Sequence, residues 1–274
     1  MKTIVITGAS SGIGKETAKY FVSKGWNVVA TMRNLNKAQE LKDLDHVYVY
    51  SLDVTDQESI NHAYEQIKHQ FGKIDVLLNN AGYCLFGPLE LSSEEQIKQT
   101  YDTLFYGVTM VTKNFIPLLR ANKEGTIITV SSVGGILTLP LTPTYHAAKY
   151  GVEGLMEALA YELAPFNIRC KLIEPGGIQT DFWNRSYQMT SGIEESVYAK
   201  EALPYLQQMK QMDNSQRCLP IEVAKVIYEA ATDQSLKLRY TIASQEFIDW
   251  RKTMSDEQWL EMQIKNYLGE KQNG

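Results

Sequence analysis

Tyr145, Lys149 and Ser132 are the side chains whose types and spacing promise chemistry. Tyr145-His146-Ala147-Ala148-Lys149 lies early in a helix-like stretch, and i, i+4 spacing puts the phenol and the ammonium on one helix face. A free phenol titrates near 10 and is a poor base at neutral pH. An ammonium held about 4 Å away, at an effective dielectric near 20, favours the phenolate by about 4 kcal/mol. That is about 3 pKa units, so the spacing predicts a phenol drawn toward neutrality before desolvation is subtracted. A phenol tuned in this way takes a proton from an alcohol or gives one to a carbonyl oxygen. Ser131-Ser132 ends the preceding apolar run, where the Ser132 hydroxyl would hold the reacting oxygen against Tyr145.

Those groups need a frame, and the chain alternates short β-branched runs with amphipathic, helix-length segments. The apolar runs predict strands at Thr3–Thr7, Asn27–Thr31, Val47–Ser51, Ile74–Asn79, Gly125–Ser131, Ile168–Glu174 and Arg239–Ile242. The 3.6-residue periodicity predicts helices at Ile13–Lys24, Leu35–Leu41, Gln57–Phe71, Ser93–Arg120 (broken midway), Pro143–Leu163 and Ile221–Thr232. Nearly continuous apolar strands point to a parallel sheet covered on both faces. The fold class is therefore α/β, a doubly wound Rossmann-type three-layer fold with a central parallel sheet of about seven strands. No Pro/Gly/Ser-rich linker divides residues 1–274, so one domain is expected. A polar, aromatic-dotted segment at 180–219 reads as a lid over a site, and 244–268 reads as a helical extension packing on the body or a neighbouring subunit.

A phosphate-binding start stands at Thr7–Gly14, TGASSGIG, between the first strand and the first helix. Gly8 permits a tight turn, Gly12 a close backbone approach to a pyrophosphate, and Gly14 close packing of helix on sheet. The free N–H groups and positive dipole end of that helix favour an anion. The second strand ends at Ala30-Thr31-Met32-Arg33-Asn34, without the Asp or Glu that would hold a ribose diol. Arg33 instead offers a guanidinium suited to a 2′-phosphate, which points to NADP(H) over NAD(H).

Composition excludes several other classes. The chain has 274 residues, 44% hydrophobic and 22% charged, so neither disorder nor a fibrous repeat is expected. A net charge of −5 without a Lys/Arg run argues against nucleic-acid binding. Cys84, Cys170 and Cys218 form no C-x-x-C pair, and His46, His62, His69 and His146 no ligand-spaced cluster, so no metal site is expected. With no long apolar span and no leader-like start, a cytoplasmic protein is the expectation.

Taken together and in order, these segments resemble the short-chain dehydrogenase/reductase family across at least Lys2–Phe182. The motifs are TGASSGIG, LDVT at Leu52–Thr55, NNAG at Asn79–Gly82, a serine thirteen residues before the tyrosine, YHAAK at Tyr145–Lys149 and EPGGIQT at Glu174–Thr180. The resemblance implies an alcohol–carbonyl oxidoreductase with Ser132, Tyr145 and Lys149 catalytic. It implies an NADP(H) site built from Gly8, Ser10, Ser11, Gly12, Ile13, Gly14, Arg33, Asp53, Val54, Asn80, Ala81, Gly82, Lys149, Pro175, Gly176, Ile178 and Thr180. Within that set Asp53 would bond the adenine amino group, the Asn80–Gly82 backbone would line a ribose, and Ile178 and Thr180 would contact the carboxamide. Homo-dimers or homo-tetramers are common in the family.

One position departs from the family pattern. Asp102-Thr103-Leu104-Phe105-Tyr106-Gly107 carries Leu104 where the family usually has an asparagine that completes a proton relay to the lysine. The relay must then differ, run more slowly, or use a neighbour such as Thr103. An NADP(H)-binding redox sensor or scaffold with little turnover is the second reading, and a sugar epimerase or dehydratase the third. Tyr83–Phe86, Ile136–Leu141 and Trp183–Met189 are largely apolar and flank the expected pocket, which points to a lipophilic, steroid- or retinoid-like alcohol or ketone.

Overall fold

The computed structural model describes residues 1–179, 187–211 and 217–269. Its centre is a seven-stranded sheet of β1 (Thr3–Thr7), β2 (Asn27–Met32), β3 (Val47–Ser51), β4 (Val76–Asn79), β6 (Gly125–Val130), β7 (Ile168–Pro175) and β9 (Arg239–Ile242). The order is β3-β2-β1-β4-β6-β7-β9 and every pairing is parallel. This is the doubly wound α/β architecture that the alternation of strands and helices predicts. A separate parallel pair joins β5 (Cys84–Phe86) to β8 (Tyr187–Met189), with Cys84 opposite Tyr187.

The strands read as unbroken apolar runs because both faces are covered. Thr3–Thr7 is buried at every position. Side chains alternate, so Ile4 and Ile6 enter one core and Val5 the other. The first core lies under α1 (Gly12–Ser23) and α8 (Pro220–Thr232), through Phe21 and Ile227. The second lies under α3 (Gln57–Phe71), α5 (Gly107–Ala121) and α6 (Pro143–Leu163), through Ile67, Phe115 and Met156.

Two helical expectations need correction. Leu35–Leu41 is not one helix: a 3₁₀ turn at Leu35–Ala38 leads into the four-residue α2 (Gln39–Lys42). The Asn34 side chain accepts the Asn36 N–H and closes the chain into that tighter turn. Ser93–Arg120 does not break. α4 (Glu94–Tyr101), started by a Ser93/Gln96 capping box, runs through a π turn at Asp102–Tyr106 into α5. Gly107 permits the bulge, because a Cβ there would come within 2.7 Å of both the Asp102 and Val54 carbonyl oxygens.

The stretch expected to cover the site contains β8 and α7 (Ala199–Gln211); Thr180 and Trp183 lie outside the described residues. The expected C-terminal helical stretch is two helices, α9 (Gln245–Lys252) and α10 (Asp256–Leu268). They lean on the body: Trp259 and Met262 pack against Leu137, and the Tyr267 ring lies 5.8 Å from that of Tyr205 on α7.

Asn79 joins three elements at the end of β4. It is buried, and its Nδ2 donates to Thr112 Oγ1 on α5 at 2.9 Å and to Thr129 Oγ1 on β6 at 3.3 Å. Asn79→Ala would leave buried hydroxyls short of a partner, so we expect a loss of about 1–3 kcal/mol. Urea unfolding should show a lower midpoint at unchanged m-value.

Candidate active site

The sheet order reverses between β1 and β4, so the connections leaving their carboxyl ends diverge and open a crevice. Thr7 fixes its floor. Its Oγ1 donates to Leu78 O and accepts the N–H groups of Asn80 at 2.9 Å and Ala81 at 3.2 Å. The Asn80 side chain returns the contact, donating to Thr7 O at 2.9 Å and Gly8 O at 3.1 Å. Gly8 has φ +69°, and a Cβ on it would lie 2.8 Å from Ala81 Cα, so glycine is required twice over.

This crevice suits a dinucleotide. Gly12 also has a positive φ, at +54°. Ser11, the N-cap of α1, is extended and makes no side-chain cap, which leaves the N–H groups of the first turn for an incoming phosphate. Ser10 and Ile13 are half-buried on the same turn, and Gly14 is buried against Gly8 O and Asn80 Nδ2. Arg33 follows β2, is exposed, and makes no hydrogen bond or ion pair among the described residues. Asp53 is half-buried; its Oδ1 is occupied by Thr55 N and Oγ1, and Val54 is buried beside it. Asn80, Ala81 and Gly82 form the facing rim. On the far side Pro175 ends β7, and a Cβ on Gly176 would run into the Ala243 carbonyl. Ile178 is held by a bridge to Cys218. The free N–H cluster, the unpaired guanidinium and the Asp53 carboxylate are the donor and acceptor set that a phosphorylated dinucleotide needs.

Ser132, Tyr145 and Lys149 meet beside this crevice. Ser132 lies two residues beyond β6 as the cap of a 3₁₀ turn at Val133–Gly135, its Oγ accepting the Gly134 N–H at 3.0 Å. The Tyr145 ring lies over Gly134, where a Cβ would come within 3.0 Å of Cε1. Lys149 is buried; its Nζ donates to Val130 O at 2.8 Å and stands 5.7 Å from the Tyr145 ring centroid.

The electrostatics correct the expected phenol. Although Tyr145 as a residue keeps some exposure, enclosure of its phenolic end drives its pKa well above 10. The Cys84 thiol adds to the rise, and hydrogen bonding to Ser132 pulls the other way. Spacing supplied the lysine but not the distance or the dielectric. Lys149 Nζ points to the Val130 carbonyl, and its own burial pushes its pKa down to about 8 against the pull of Glu153 and Cys84. Desolvation outweighs the ion–phenolate attraction, so the resting pair is a protonated phenol beside a marginal ammonium.

The roles of Cys84 and His146 escaped the sequence reading, and the structure adds the surroundings of Leu104. Cys84 lies within electrostatic reach of Tyr145 and Lys149, and its own thiol is pushed up to about 12 by burial. Leu104 is buried in the π turn with Cδ2 3.1 Å from where Gly82 would carry a Cβ, so hydrocarbon packs against the crevice rim. His146 pins the loop after Ser132: its Nε2 accepts the Leu139 N–H at 2.8 Å, and its Nδ1 faces Gly134 O at 2.8 Å. No pattern in the sequence flags the histidine, because its partners are backbone atoms.

Comparison with known proteins agrees with this architecture. Residues 2–191 match the family model for short chain dehydrogenase. A 3-ketodihydrosphingosine reductase of Bacteroides thetaiotaomicron is 34% identical, the match covering 96% of this chain and 95% of that protein. An NADPH-dependent 3-dehydrocapnine reductase of Ornithobacterium rhinotracheale is 31% identical, covering 90% of each. The crystal structure of a short-chain dehydrogenase from Streptomyces avermitilis superposes with a TM-score of 0.82 at 28% identity, covering 98% of this chain and 97% of that one.

Because Nε2 accepts a backbone N–H, the His146 proton must sit on Nδ1 and donate to Gly134 O. Burial lowers the pKa of His146 from 6.5, so the neutral ring is retained and its stabilisation is lost only as pH falls below that value. Nitrogen-15 NMR should show an Nδ1–H tautomer for His146 at pH 7, with a midpoint below 6.5.

Proposed function

This chain belongs to the short-chain dehydrogenase family, and on that premise we propose that it is an NADP(H)-dependent oxidoreductase interconverting an alcohol and a carbonyl, with Tyr145 as acid/base. The observation that carries the reading is the enclosed Tyr145 phenol, set beside Ser132 and the buried Lys149 at the mouth of a crevice with an uncapped helix N-terminus. Bound NADP(H) would supply or take the hydride at the carbinol carbon. The Ser132 hydroxyl orients the substrate oxygen and Tyr145 gives or takes its proton. Burial holds the phenol protonated, the form that gives a proton to a carbonyl oxygen. The Lys149 ammonium stabilises negative charge arising on the phenol oxygen.

In this reading Gly8, Ser10–Gly14, Asp53, Val54, Asn80–Gly82, Pro175, Gly176 and Ile178 hold the dinucleotide, and Arg33 reads its 2′-phosphate. The NADPH dependence named for the Ornithobacterium relative supports that assignment. A lipophilic ketone is the substrate we favour. Buried Leu85 and Phe86, with Tyr187 tilted and Tyr205 stacked against Phe86, make an apolar wall beside Cys84. The names of the two bacterial reductases accord with such a substrate. The NADP(H)-binding sensor is kept as the second reading because Leu104 places a hydrocarbon where the family's relay amide is expected.

No described helix is long and apolar enough to cross a membrane, and no metal-binding cluster occurs among the described residues. A cytoplasmic homo-dimer or homo-tetramer, folded as one domain with 180–219 as its lid, completes the proposal.

Tyr145→Phe should slow NADPH oxidation with a panel of apolar ketones by about 100- to 10,000-fold while NADPH still binds. Full activity in that variant would remove Tyr145 from the mechanism. A wild-type chain that binds NADPH and consumes none with any carbonyl would favour the sensor. Arg33→Ala should raise KM for NADPH about 10- to 100-fold, the worth of a charge-assisted contact, and leave KM for NADH nearly unchanged. Equal effects on both cofactors would remove the 2′-phosphate assignment.

A further inference from the structure

Behind Lys149 lies a second group of ionisable side chains that the mechanism above does not use. Tyr145, Lys149, Glu153 and Glu157 follow one another at four-residue intervals along one face of α6. Glu153 is 6% exposed, Glu174 on β7 is 1% exposed, and Ser131 at the end of β6 is 4% exposed. Arg239 on β9 joins the two carboxylates: its Nε lies 3.0 Å from Glu153 Oε2 and 3.3 Å from Glu174 Oε1. The rest of that guanidinium is spent on the exposed Glu157, 2.7 Å from Nη2.

Three oxygens of this group close no well-aligned hydrogen bond: Ser131 Oγ, Glu153 Oε1 and Glu174 Oε1. Two of them face the same point. A Cβ on Gly135 would lie 2.8 Å from Ser131 Oγ and 3.2 Å from Glu153 Oε1, so only a glycine leaves that spot open. Ser131 is the residue after Val130, whose carbonyl holds Lys149 Nζ. On its outer side the pair borders a cavity of about 730 Å³ lined by Tyr150, Glu153, Glu174, Glu229, Arg239 and Lys252.

We propose that Glu153 and Glu174 form a proton-sharing carboxyl pair that resupplies Lys149 from solvent through this cavity, a route that does not pass Leu104. Two buried carboxylates on one guanidinium nitrogen do not both carry full charge at neutral pH, so one proton is held between them. Burial, then the Glu153 charge, pushes Glu174 up to about 7 against Arg239 and Lys252. Glu153 is raised by burial against Ser131, Arg239 and Lys149. Resting on the reductase reading above, the sequence of transfers balances. Tyr145 O–H protonates the nascent alkoxide, and the phenolate regains a proton from Lys149 Nζ. The lysine amine takes one from the Glu153 carboxyl, one turn further along α6. Glu153 is refilled from Glu174, and Glu174 from water in the cavity. One solvent proton ends on the product alcohol. Glu153 and Glu174 touch no substrate and act as positioning residues through Lys149.

Carbon-13 NMR of the full-length chain labelled at glutamate Cδ and lysine Cε reads the pair directly. The expected result is a carboxyl step near neutrality that disappears in Glu174→Gln, and a Lys149 midpoint that falls in Glu153→Gln. Both glutamates titrating within the ordinary carboxylate range, near 4.3, would overturn the proposal. Kinetics give the second arm. Glu153→Gln should lower kcat about tenfold at unchanged KM, with Glu153→Asp restoring part of it and Glu174→Gln flattening the neutral limb of the pH–kcat profile. Equal losses in Gln and Asp variants with an unaltered profile would indicate packing alone and would also overturn it. If no carbonyl is reduced while the pair still titrates and shifts Lys149, the reductase reading fails and the proton-sharing pair stands.

Discussion

The structure depends on how closely the turn after β1 approaches the turn after β4. Parallel strands leave their connections at one edge, and reversal of the strand order between β1 and β4 sends those connections apart. Thr7 and Asn80 tie the two turns together across the opening, and Gly8 and Gly14 remove the side chains that would prevent it. A Cβ at either glycine would push Ala81 or Asn80 away and widen the crevice. The uncapped start of α1 then faces inward, where its dipole and free N–H groups meet whatever the crevice holds.

The second constraint is desolvation. Tyr145, Lys149, Glu153 and Glu174 are ionisable groups in or at the edge of the core, joined by α6 and the ends of β6, β7 and β9. Burial moves each toward its neutral form: the phenol and the carboxyls upward, the ammonium downward. Lys149 and the two carboxyls thereby come nearer to exchanging protons at neutral pH than their free values allow, while the phenol moves further from neutrality. Loop geometry supports this. His146 fixes the backbone after Ser132 with two contacts, and α10 presses Trp259 and Met262 onto Leu137 in the same loop.

Leu104 shows how a local departure is accommodated. It sits in the π turn between α4 and α5, where the bulge turns it into the core against Gly82 instead of breaking the helix. The bulge itself rests on Gly107, which lets Asp102 and Val54 carbonyls approach. Apolar periodicity cannot distinguish a broken helix from a bulged one, since both shift the apolar stripe at the same place.

The sequence by itself determined the sheet, most helices, the glycine turn and the shared helix face of Tyr145 and Lys149. Each of those follows from local pattern: β-branched runs buried on both faces, i, i+4 spacing, and glycines between strand and helix. Tertiary structure decided the quantities that depend on distance and dielectric. The phenol is raised instead of lowered because its depth, and the turn of Lys149 Nζ toward Val130 O, are set by packing. Glu153 and Glu174 are twenty-one residues apart in the chain and meet on one Arg239 nitrogen only when β7 and β9 pair beside α6. Spacing along a chain names the groups that share a helix face; the energy between charges follows from their separation in space and the solvent excluded around them.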